Sequence, residues 1–341
     1  MTPCPETRLA AYGSVSTALA LLSDHALRRE LDASIPLGSG IGGKAVSMEV
    51  AGRQVFVKRV PLTARELRPE NIRSTADLFD LPMYCHYGIG GPAFGAWREL
   101  AAHVMTTNWV LMGGFAGFPL MYHWRVLPDT ASLPEELADI DRVVDYWGGG
   151  DQVRRRLEEQ RASEASIALF LEYLPHNLFD WLREQLRAGG EVAERALAMA
   201  DRELAAGIAF MNAHGLLHFD AHFENVLTDG ERLYYADFGL AISSRFELAN
   251  DERAFFDRHR NYDRCYTAMY TGQWLVAELF GADRDERAAR LRAYAAGLVP
   301  SGIPETAAAI LIRDAPVAVA MTEFFDLLRY ETRRAVYPAG L

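Results

Sequence analysis

Residues 216–241 read LLHFDAHFENVLTDGERLYYADFGLA, with three chemically versatile polar side chains set in a largely apolar stretch. Asp220 can accept a proton from a hydroxyl nucleophile. Asn225 and Asp237 offer the oxygen atoms that Mg²⁺ prefers as ligands. An Asp-Gly turn signal separates two short strand-like runs between these two residues, which predicts a β-hairpin. The stretch therefore predicts a metal–phosphate site carried by a loop and a hairpin.

A second informative segment lies upstream, at residues 37–60. Gly38, Gly40 and Gly43 form a G-x-G-x-x-G pattern, and two alternating apolar runs follow it, which predicts a glycine-rich entrance to a hairpin. Lys58 lies in the second run on the face of its apolar neighbours, because side chains alternate along a strand. Such a lysine either extends to solvent from an edge strand or meets a buried charge, and the local sequence leaves both open.

Together the two segments resemble the protein-kinase superfamily. The pattern H-x-D-x-x-x-x-N followed by D-F-G resembles the kinase catalytic loop and metal-binding motif, and the glycine pattern with Lys58 resembles the phosphate-covering loop and its lysine. The resemblance covers about residues 35–281. It implies a bilobed α+β protein-kinase-like fold, with an antiparallel sheet in a small N-lobe and a mainly helical C-lobe.

The resemblance also implies how ATP would be bound. The backbone N–H groups of three glycines would approach its phosphates, namely Gly38, Gly40 and Gly43. Lys58 would hold the α- and β-phosphates. The apolar strand Ser166–Leu174 would form the hinge between the lobes, where backbone groups at Glu172 and Leu174 would bind adenine.

For catalysis, the resemblance implies that Asn225 and Asp237 bind Mg²⁺ and that Asp220 orients and deprotonates the acceptor hydroxyl. His222 occupies the position two residues after Asp220, where most Ser/Thr protein kinases have a lysine, and its imidazole could donate to the γ-phosphate. We therefore predict Asp220, His222 and Lys58 as the catalytic residues.

A kinase-like site also needs a helix glutamate that pairs with Lys58. Residues 96–110 predict a helix in which Glu99 lies among apolar residues at core spacing, and we favour Glu99 as the partner. Glu66 and Glu70 are the alternatives, because they lie nearer to Lys58 in sequence.

The acceptor remains open at this stage. The Asp-Phe-Gly-Leu-Ala motif, Glu224 beside Asn225 and the hinge sequence favour Ser/Thr hydroxyls of a protein. His222, the absence of an Ala-Pro-Glu motif and the acidic balance favour a small-molecule acceptor, as in aminoglycoside or choline phosphotransferases. Phe56, where the family usually has a small alanine against adenine, favours a third alternative, an ATP-binding pseudokinase scaffold.

Phe219 stands directly before Asp220, where many protein kinases have an arginine that docks an activation-loop phosphate. Without that arginine we predict that activity requires no such phosphorylation, and in particular none at Ser243 or Ser244.

The remaining chain divides around these motifs. Residues 1–34 predict a helical extension that packs on the first lobe and carries no chemistry. The N-lobe is predicted at 35–173, with insertions at about 61–95 and 129–165, and the C-lobe at 174–341. We interpret the second insertion as a solvated decoration, with exposed helices flanking a mobile glycine loop.

Composition limits the partners. The chain has 341 residues, half of them hydrophobic, and a formal net charge of −11, which argues against nucleic acid as the main partner because phosphate binding needs a basic face. Three scattered cysteines without a C-x-x-C pattern indicate a reduced, cytoplasmic protein. No apolar run approaches the roughly 18–20 residues that span a bilayer, so we expect no membrane partner.

Overall fold

The computed structural model describes residues 5–40, 43–88, 93–129, 133, 135–148 and 150–341. Part of the predicted glycine loop (residues 41–42), part of the loop before the Glu99 helix (89–92) and Gly149 of the predicted mobile loop lie outside the described residues.

Helices account for much of the described chain. They are α1 (Pro5–Ala20), α2 (Asp24–Asp32), α3 (Ala96–Leu111), α4 (Glu135–Ala138), α5 (Ile140–Tyr146), α6 (Asp151–Arg161), α7 (Leu178–Ala188), α8 (Gly190–Ala213), α9 (Asn250–Arg258), α10 (Tyr262–Phe280), α11 (Arg284–Ala295) and α12 (Glu305–Asp326). Short 3₁₀ turns occupy Pro69–Asn71 and Met83–Tyr87, and a π turn, Leu327–Glu331, follows α12.

The strands are β1 (Ile35–Gly40), β2 (Gly43–Val50), β3 (Arg53–Leu62), β4 (Met121–Pro128), β5 (Ala165–Glu172), β6 (His176–Asn177), β7 (Leu216–Leu217), β8 (Val226–Thr228), β9 (Leu233–Tyr235) and β10 (Ile242–Ser243). The chain forms two compact units. The first unit is Met1–Leu174 with Ala236–Arg253, and the second is Pro175–Tyr235 with Ala254–Leu341. The predicted α+β class, with a sheet near the N-terminus and helices mainly towards the C-terminus, is confirmed.

The first unit is built on an antiparallel sheet with strand order β1-β2-β3-β5-β4. Side chains alternate between its faces, so Val55 and Val57 of β3 point to one side. On that side they pack with helices α1 and α2, through Val15, Leu19 and other apolar residues of the extension. The prediction that the extension packs on the first lobe is therefore confirmed.

The opposite face of the sheet packs against α3. Val60 of β3 and Leu169 of β5 lie in one apolar cluster with Trp97 and Leu100 of α3. Because Lys58 shares the parity of Val60, its side chain projects toward the face that α3 covers. The sheet therefore sets Lys58 against the helix that carries Glu99.

The two insertions pack against each other, so the interpretation of the second insertion as a solvated decoration is wrong. Phe79 and Phe94 of the first insertion form one buried cluster with Val144, Trp147 and Leu157 of the second. Within the second insertion, apolar residues recur at helical spacing in an otherwise charged sequence. This periodicity gives α5 and α6 one buried face each.

In the second unit, α8 supports the hairpin formed by β8 and β9. Gly207 of α8 faces Tyr235, and a Cβ atom at position 207 would lie 2.1 Å from the tyrosine ring. The Tyr235 hydroxyl donates to the Leu204 carbonyl at 2.8 Å. Only glycine fits at this helix–hairpin contact, and it positions the hairpin that follows Asn225.

Within the described part of the chain, no helix is both long and apolar enough to cross a membrane.

Candidate active site

Lys58 lies in the centre of the sheet, opposite Ala45 of β2 and Leu169 of β5. It is 8 % exposed, and a buried ammonium group is costly unless it is paired. Its Nζ atom lies 2.7 Å from Glu99 Oε1 and 2.9 Å from Asp237 Oδ1. Lys58 is therefore a buried ion-pair residue, and the alternative of a lysine extending to solvent is wrong.

The two carboxylates also hold Lys58 in its charged form. Burial alone lowers the pKa of Lys58, but the negative charges of Asp237 and Glu99 outweigh it and raise that pKa above its ordinary value. The ammonium is thus present throughout the physiological range of pH. A fixed cation at this place could bind an anionic phosphate.

The structure separates Glu99 from its two sequence alternatives. Glu99 lies in the first turn of α3 and contacts Lys58 directly. Glu66 is also buried, but its carboxylate binds Arg156 at 3.0 Å and accepts from the backbone N–H of Ala96, the first residue of α3. Glu70 is exposed in a 3₁₀ turn.

The Asp-Phe-Gly segment is held by α3 as well. Asp237 has a positive φ of 61°, which Asp tolerates better than most residues, and it accepts from the Gly239 N–H at 3.3 Å. The fully buried Phe238 ring meets the edge of His103 at 5.0 Å. Since His103 lies one turn after Glu99, α3 both carries the partner of Lys58 and contacts Phe238, the residue after Asp237.

Residues 240–253, which follow this segment within the first unit, are tied to α3 by a buried ion pair. Arg98 Nη2 lies 2.6 Å from Glu252 Oε1, and both residues are almost fully buried. Arg98 also donates to the Thr75 carbonyl at 2.7 Å. Nearby, Glu247 accepts from the Ser74 hydroxyl. Sequence reasoning missed this network, although an arginine beside Glu99 in an apolar helix was a usable signal.

The predicted nucleotide-binding backbone lies along the same sheet. Gly40 pairs with Gly43 at the end of the β1–β2 ladder, and Gly38 pairs with Ala45. Gly38 and Gly40 therefore lie in β1, and Gly43 begins β2, the strand that pairs with β3 beside Lys58.

Glu172 ends β5, and Leu174 is the last residue of the first unit's long segment. The N–H of Glu172 donates to the Leu120 carbonyl at 2.8 Å, and its carboxylate binds Arg8 of α1. Phe56 pairs across the sheet with Leu171 and is half-buried beside the apolar cluster of α3. Its large side chain therefore remains part of the region predicted for adenine.

The second unit holds the other predicted residues, within the loop between β7 and β8. The Asn225 amide donates from Nδ2 to both the backbone carbonyl and the Oδ2 atom of Asp220, at 3.0 Å each. His222 donates its backbone N–H to the Asp220 carbonyl, and its Nε2 lies 3.8 Å from Asp220 Oδ1. The structure thus brings these three residues together.

A buried aspartate supports this loop from below. Asp263 of α10 accepts from the backbone N–H groups of His218 and Phe219, at 2.7 and 2.8 Å. Burial raises the pKa of Asp263 to about 6, although these two donors lower it. Asp263 thus braces the backbone directly before Asp220.

Phe219 occupies an aromatic pocket. Its ring stacks on Tyr262 at 4.4 Å and on Phe255 at 5.4 Å, and its φ of 65° lies in the left-handed region. A left-handed non-glycine residue is strained, so the aromatic packing and the Asp263 bonds hold it there. The side chain next to Asp220 is therefore structural and apolar, which leaves no cation at this position for a phosphate.

Both predicted metal ligands carry oxygen atoms of the kind that a hard cation prefers. The Asp237 side chain is 38 % exposed. The amide oxygen of Asn225 is the atom of that amide left for a ligand, because Nδ2 donates to Asp220. Mg²⁺ is usually held by one or two such groups together with water and substrate phosphates. The chemistry of each residue, taken by itself, therefore suits Mg²⁺.

Comparison with known proteins gives partial similarity to kinases. The chain is 28 % identical over 127 residues to the mitogen-activated protein kinase kinase kinase mkh1 of Cytospora mali, which covers 36 % of this chain and 7 % of that protein. It is 27 % identical over 127 residues to the mitogen-activated protein kinase kinase kinase MCK1 of Pyricularia oryzae, covering 36 % of this chain and 8 % of the relative.

No known family profile matches the chain. The chain thus spans less than a tenth of the length of these two curated relatives. The similarity to kinases therefore extends over 36 % of this chain.

Proposed function

We propose that this chain is an ATP- and Mg²⁺-dependent phosphotransferase that moves the γ-phosphate of ATP to a hydroxyl group, with serine or threonine of a protein as the acceptor. The observation that carries the proposal is Lys58, buried in the sheet and paired with both Glu99 and Asp237. Positioning and charge neutralisation are the main demands of phosphoryl transfer, and this triad serves both.

In this mechanism the ammonium of Lys58 binds the α- and β-phosphates while Glu99 orients it. Backbone N–H groups near Gly38, Gly40 and Gly43 approach the phosphates. When bound, Mg²⁺ would neutralise phosphate charge, with Asn225 and Asp237 as its protein ligands.

Asp220 would act on the acceptor. Its carboxylate is 24 % exposed and is oriented by Asn225, so a hydroxyl can reach it from solvent. It accepts the hydroxyl proton as the oxygen attacks the γ-phosphorus, and the P–O bond to ADP breaks. His222 would donate a hydrogen bond to the γ-phosphate.

The test is transfer of radiolabelled γ-phosphate by the full chain to a panel of proteins and to a panel of aminoglycosides and amines. We expect labelled phosphoserine or phosphothreonine in the protein panel. Asp220→Ala, with nucleotide binding retained, is the negative control. ATP binding without any transfer by the wild type would refute an enzyme and leave a pseudokinase scaffold.

A small-molecule acceptor is the second candidate, and one observation favours it. His222 replaces the usual lysine and lies near Asp220. Label in the amine panel with none in the protein panel would establish this alternative.

We further propose that activity needs no phosphorylation of residues 240–253. Two glutamates already hold this segment, Glu252 through Arg98 and Glu247 through Ser74. Ser243 is fully buried. Protein treated with phosphatase and the Ser244→Ala variant should both keep wild-type activity; activity that appears only after phosphorylation of Ser243 or Ser244 would contradict the proposal.

A further inference from the structure

The N-terminal helix α1 reaches the predicted adenine-binding strand through one side chain. Arg8 forms a two-point ion pair with Glu172, from Nε to Oε1 at 2.9 Å and from Nη2 to Oε2 at 2.5 Å. Nη1 also donates to the carbonyl of Ala116 at 2.9 Å, and Nη2 to that of Phe118 at 2.8 Å.

This contact is built into the core of the first unit. The side chains of Arg8 and Glu172 are 4 % and 11 % exposed. A buried charge pair needs close geometry and additional hydrogen bonds to offset its desolvation, and Arg8 has both. A guanidinium presents a planar fork that matches a carboxylate, which a lysine cannot reproduce.

The pair also restrains the backbone at the end of β5. Glu172 and Leu120 bond reciprocally: the Glu172 N–H donates to the Leu120 carbonyl at 2.8 Å, and the Leu120 N–H donates to Glu172 Oε2 at 3.1 Å. Arg8 holds the same carboxylate. The side chain and the N–H of Glu172 are thus both hydrogen-bonded. These bonds hold the peptide that leads into the hinge in one orientation.

We propose that Arg8 is a positioning residue for the nucleotide: by holding Glu172 it pre-orients the backbone that binds adenine, so the N-terminal helix forms part of the nucleotide site. This inference rests on the proposed function, in which residues 172–174 bind adenine. Pre-organisation raises affinity because the ordering cost is met before the ligand binds.

The experiment measures the dissociation constant of a fluorescent ATP analogue with the full chain, together with KM for ATP and kcat. For Arg8→Ala we expect the dissociation constant and KM to rise about tenfold, with kcat within about twofold of wild type. Arg8→Lys should lie between the two, because it keeps the charge and loses the fork.

Arg125→Ala is the matched control. Arg125 of β4 pairs with Asp24 at the start of α2, so this variant also removes an ion pair between the extension and the sheet, but leaves Glu172 untouched. Its nucleotide affinity should equal that of the wild type.

Melting temperatures separate positioning from mere stability. An Arg8→Ala variant that melts earlier but binds the analogue as tightly as wild type while folded overturns the inference. If Arg8→Ala does not fold, the double variant Arg8→Gln with Glu172→Gln avoids a stranded charge, and wild-type affinity in that variant overturns it equally.

The two proposals fail in distinguishable ways. Wild-type protein that binds no nucleotide refutes the proposed function and this inference with it. Wild-type protein that binds the analogue, with Arg8→Ala and Arg125→Ala binding equally well, refutes only the role of Arg8.

Discussion

The two groups of site residues, one in each compact unit, are held in opposite ways. The first group is Lys58, Glu99 and Asp237, and the second is Asp220, His222 and Asn225. Ion pairs join the first group around an ammonium that is almost fully buried. Single hydrogen bonds and a braced backbone hold the second, and about a fifth to a quarter of its Asp220 and His222 side chains is exposed.

This difference shows in which of the two groups a substitution changes function and stability together. Removing one member of a buried ion pair strands the other, so the first group contributes to folding as well as to binding. A partly exposed carboxylate that is in no buried ion pair contributes less to folding. The second group can therefore be altered for chemistry alone, because Asp263 supports its backbone independently of the reacting side chains.

The largest effect is expected at Asp220. Asp220→Asn removes the proton acceptor, and phosphate transfer should fall by about 10²–10⁴-fold, while the free energy of unfolding stays within about 0.5 kcal/mol of wild type. Initial rates and chemical denaturation measure the two quantities. Glu224→Gln, an exposed neighbour, is the control and should keep its activity. A large loss of stability in Asp220→Asn would remove the distinction between the groups.

Lys58 should behave differently, with losses in both quantities. Lys58→Met leaves Glu99 buried without its cation, and the free energy of unfolding should fall by about 3–5 kcal/mol. The double variant Lys58→Met with Glu99→Gln should recover most of that stability but no activity, since the charge that binds phosphate is still absent. Denaturation curves of both variants test this. A single variant as stable as wild type would show that the pair does not hold the first group together.

A buried histidine of the second unit, His259, should make the stability of the protein depend on pH. His259 lies against Phe255 and Tyr337, and burial lowers its pKa to about 4. Between pH 6.5 and 4 the unfolded chain therefore binds a proton that the folded chain does not. The stability from this residue is complete above about pH 6.5 and is lost as the pH falls to 4, by about 3 kcal/mol in total.

The measurement is the free energy of unfolding across this pH range in wild type and His259→Gln. The change in the free energy of unfolding per pH unit should be smaller in His259→Gln than in wild type, whatever the absolute stability of the variant. His176→Gln, at an exposed position, should keep the wild-type slope. Equal slopes in all three proteins would contradict a neutral buried His259.

The smallest effect is expected at His222. His222→Lys restores the residue common in Ser/Thr protein kinases at a partly exposed position, so transfer to the preferred acceptor should change by less than about tenfold and stability by less than about 0.5 kcal/mol. Rates with ATP and the acceptor that the radiolabel experiment identifies provide the test. A loss of transfer as large as that of Asp220→Asn would contradict this expectation, because the imidazole would then be as important for transfer as the Asp220 carboxylate.

The order of the motifs and the periodicity of the apolar residues were sufficient to predict much of the fold and the side chains that share a face within one element. The apolar spacing around Glu99 predicted α3, and the alternation around Lys58 predicted a strand with the lysine on the face of its apolar neighbours. In each case the signal lies within one element, where the period of the chain decides which side chains share a face.

Other features depend on residues that are distant in sequence. Arg8 and Glu172 are 164 positions apart, and no local pattern links a helix arginine to the end of a strand. The second insertion looked charged and solvated because its apolar residues are sparse, yet it buries Trp147 in one cluster with Phe94 of the first insertion. Contacts of this kind depend on which surfaces meet in the folded chain.

The sequence by itself determined the chemical groups of this protein: a proton acceptor, oxygen ligands, a glycine-rich loop and a strand lysine, in kinase-like order. Only the tertiary structure decided that Glu99, and not Glu66, pairs with Lys58. Both glutamates are buried, so burial could not distinguish them. Arg156 reaches Glu66 from the second insertion, and the cost of an unpaired buried charge assigns each carboxylate to the cation that packing brings to it.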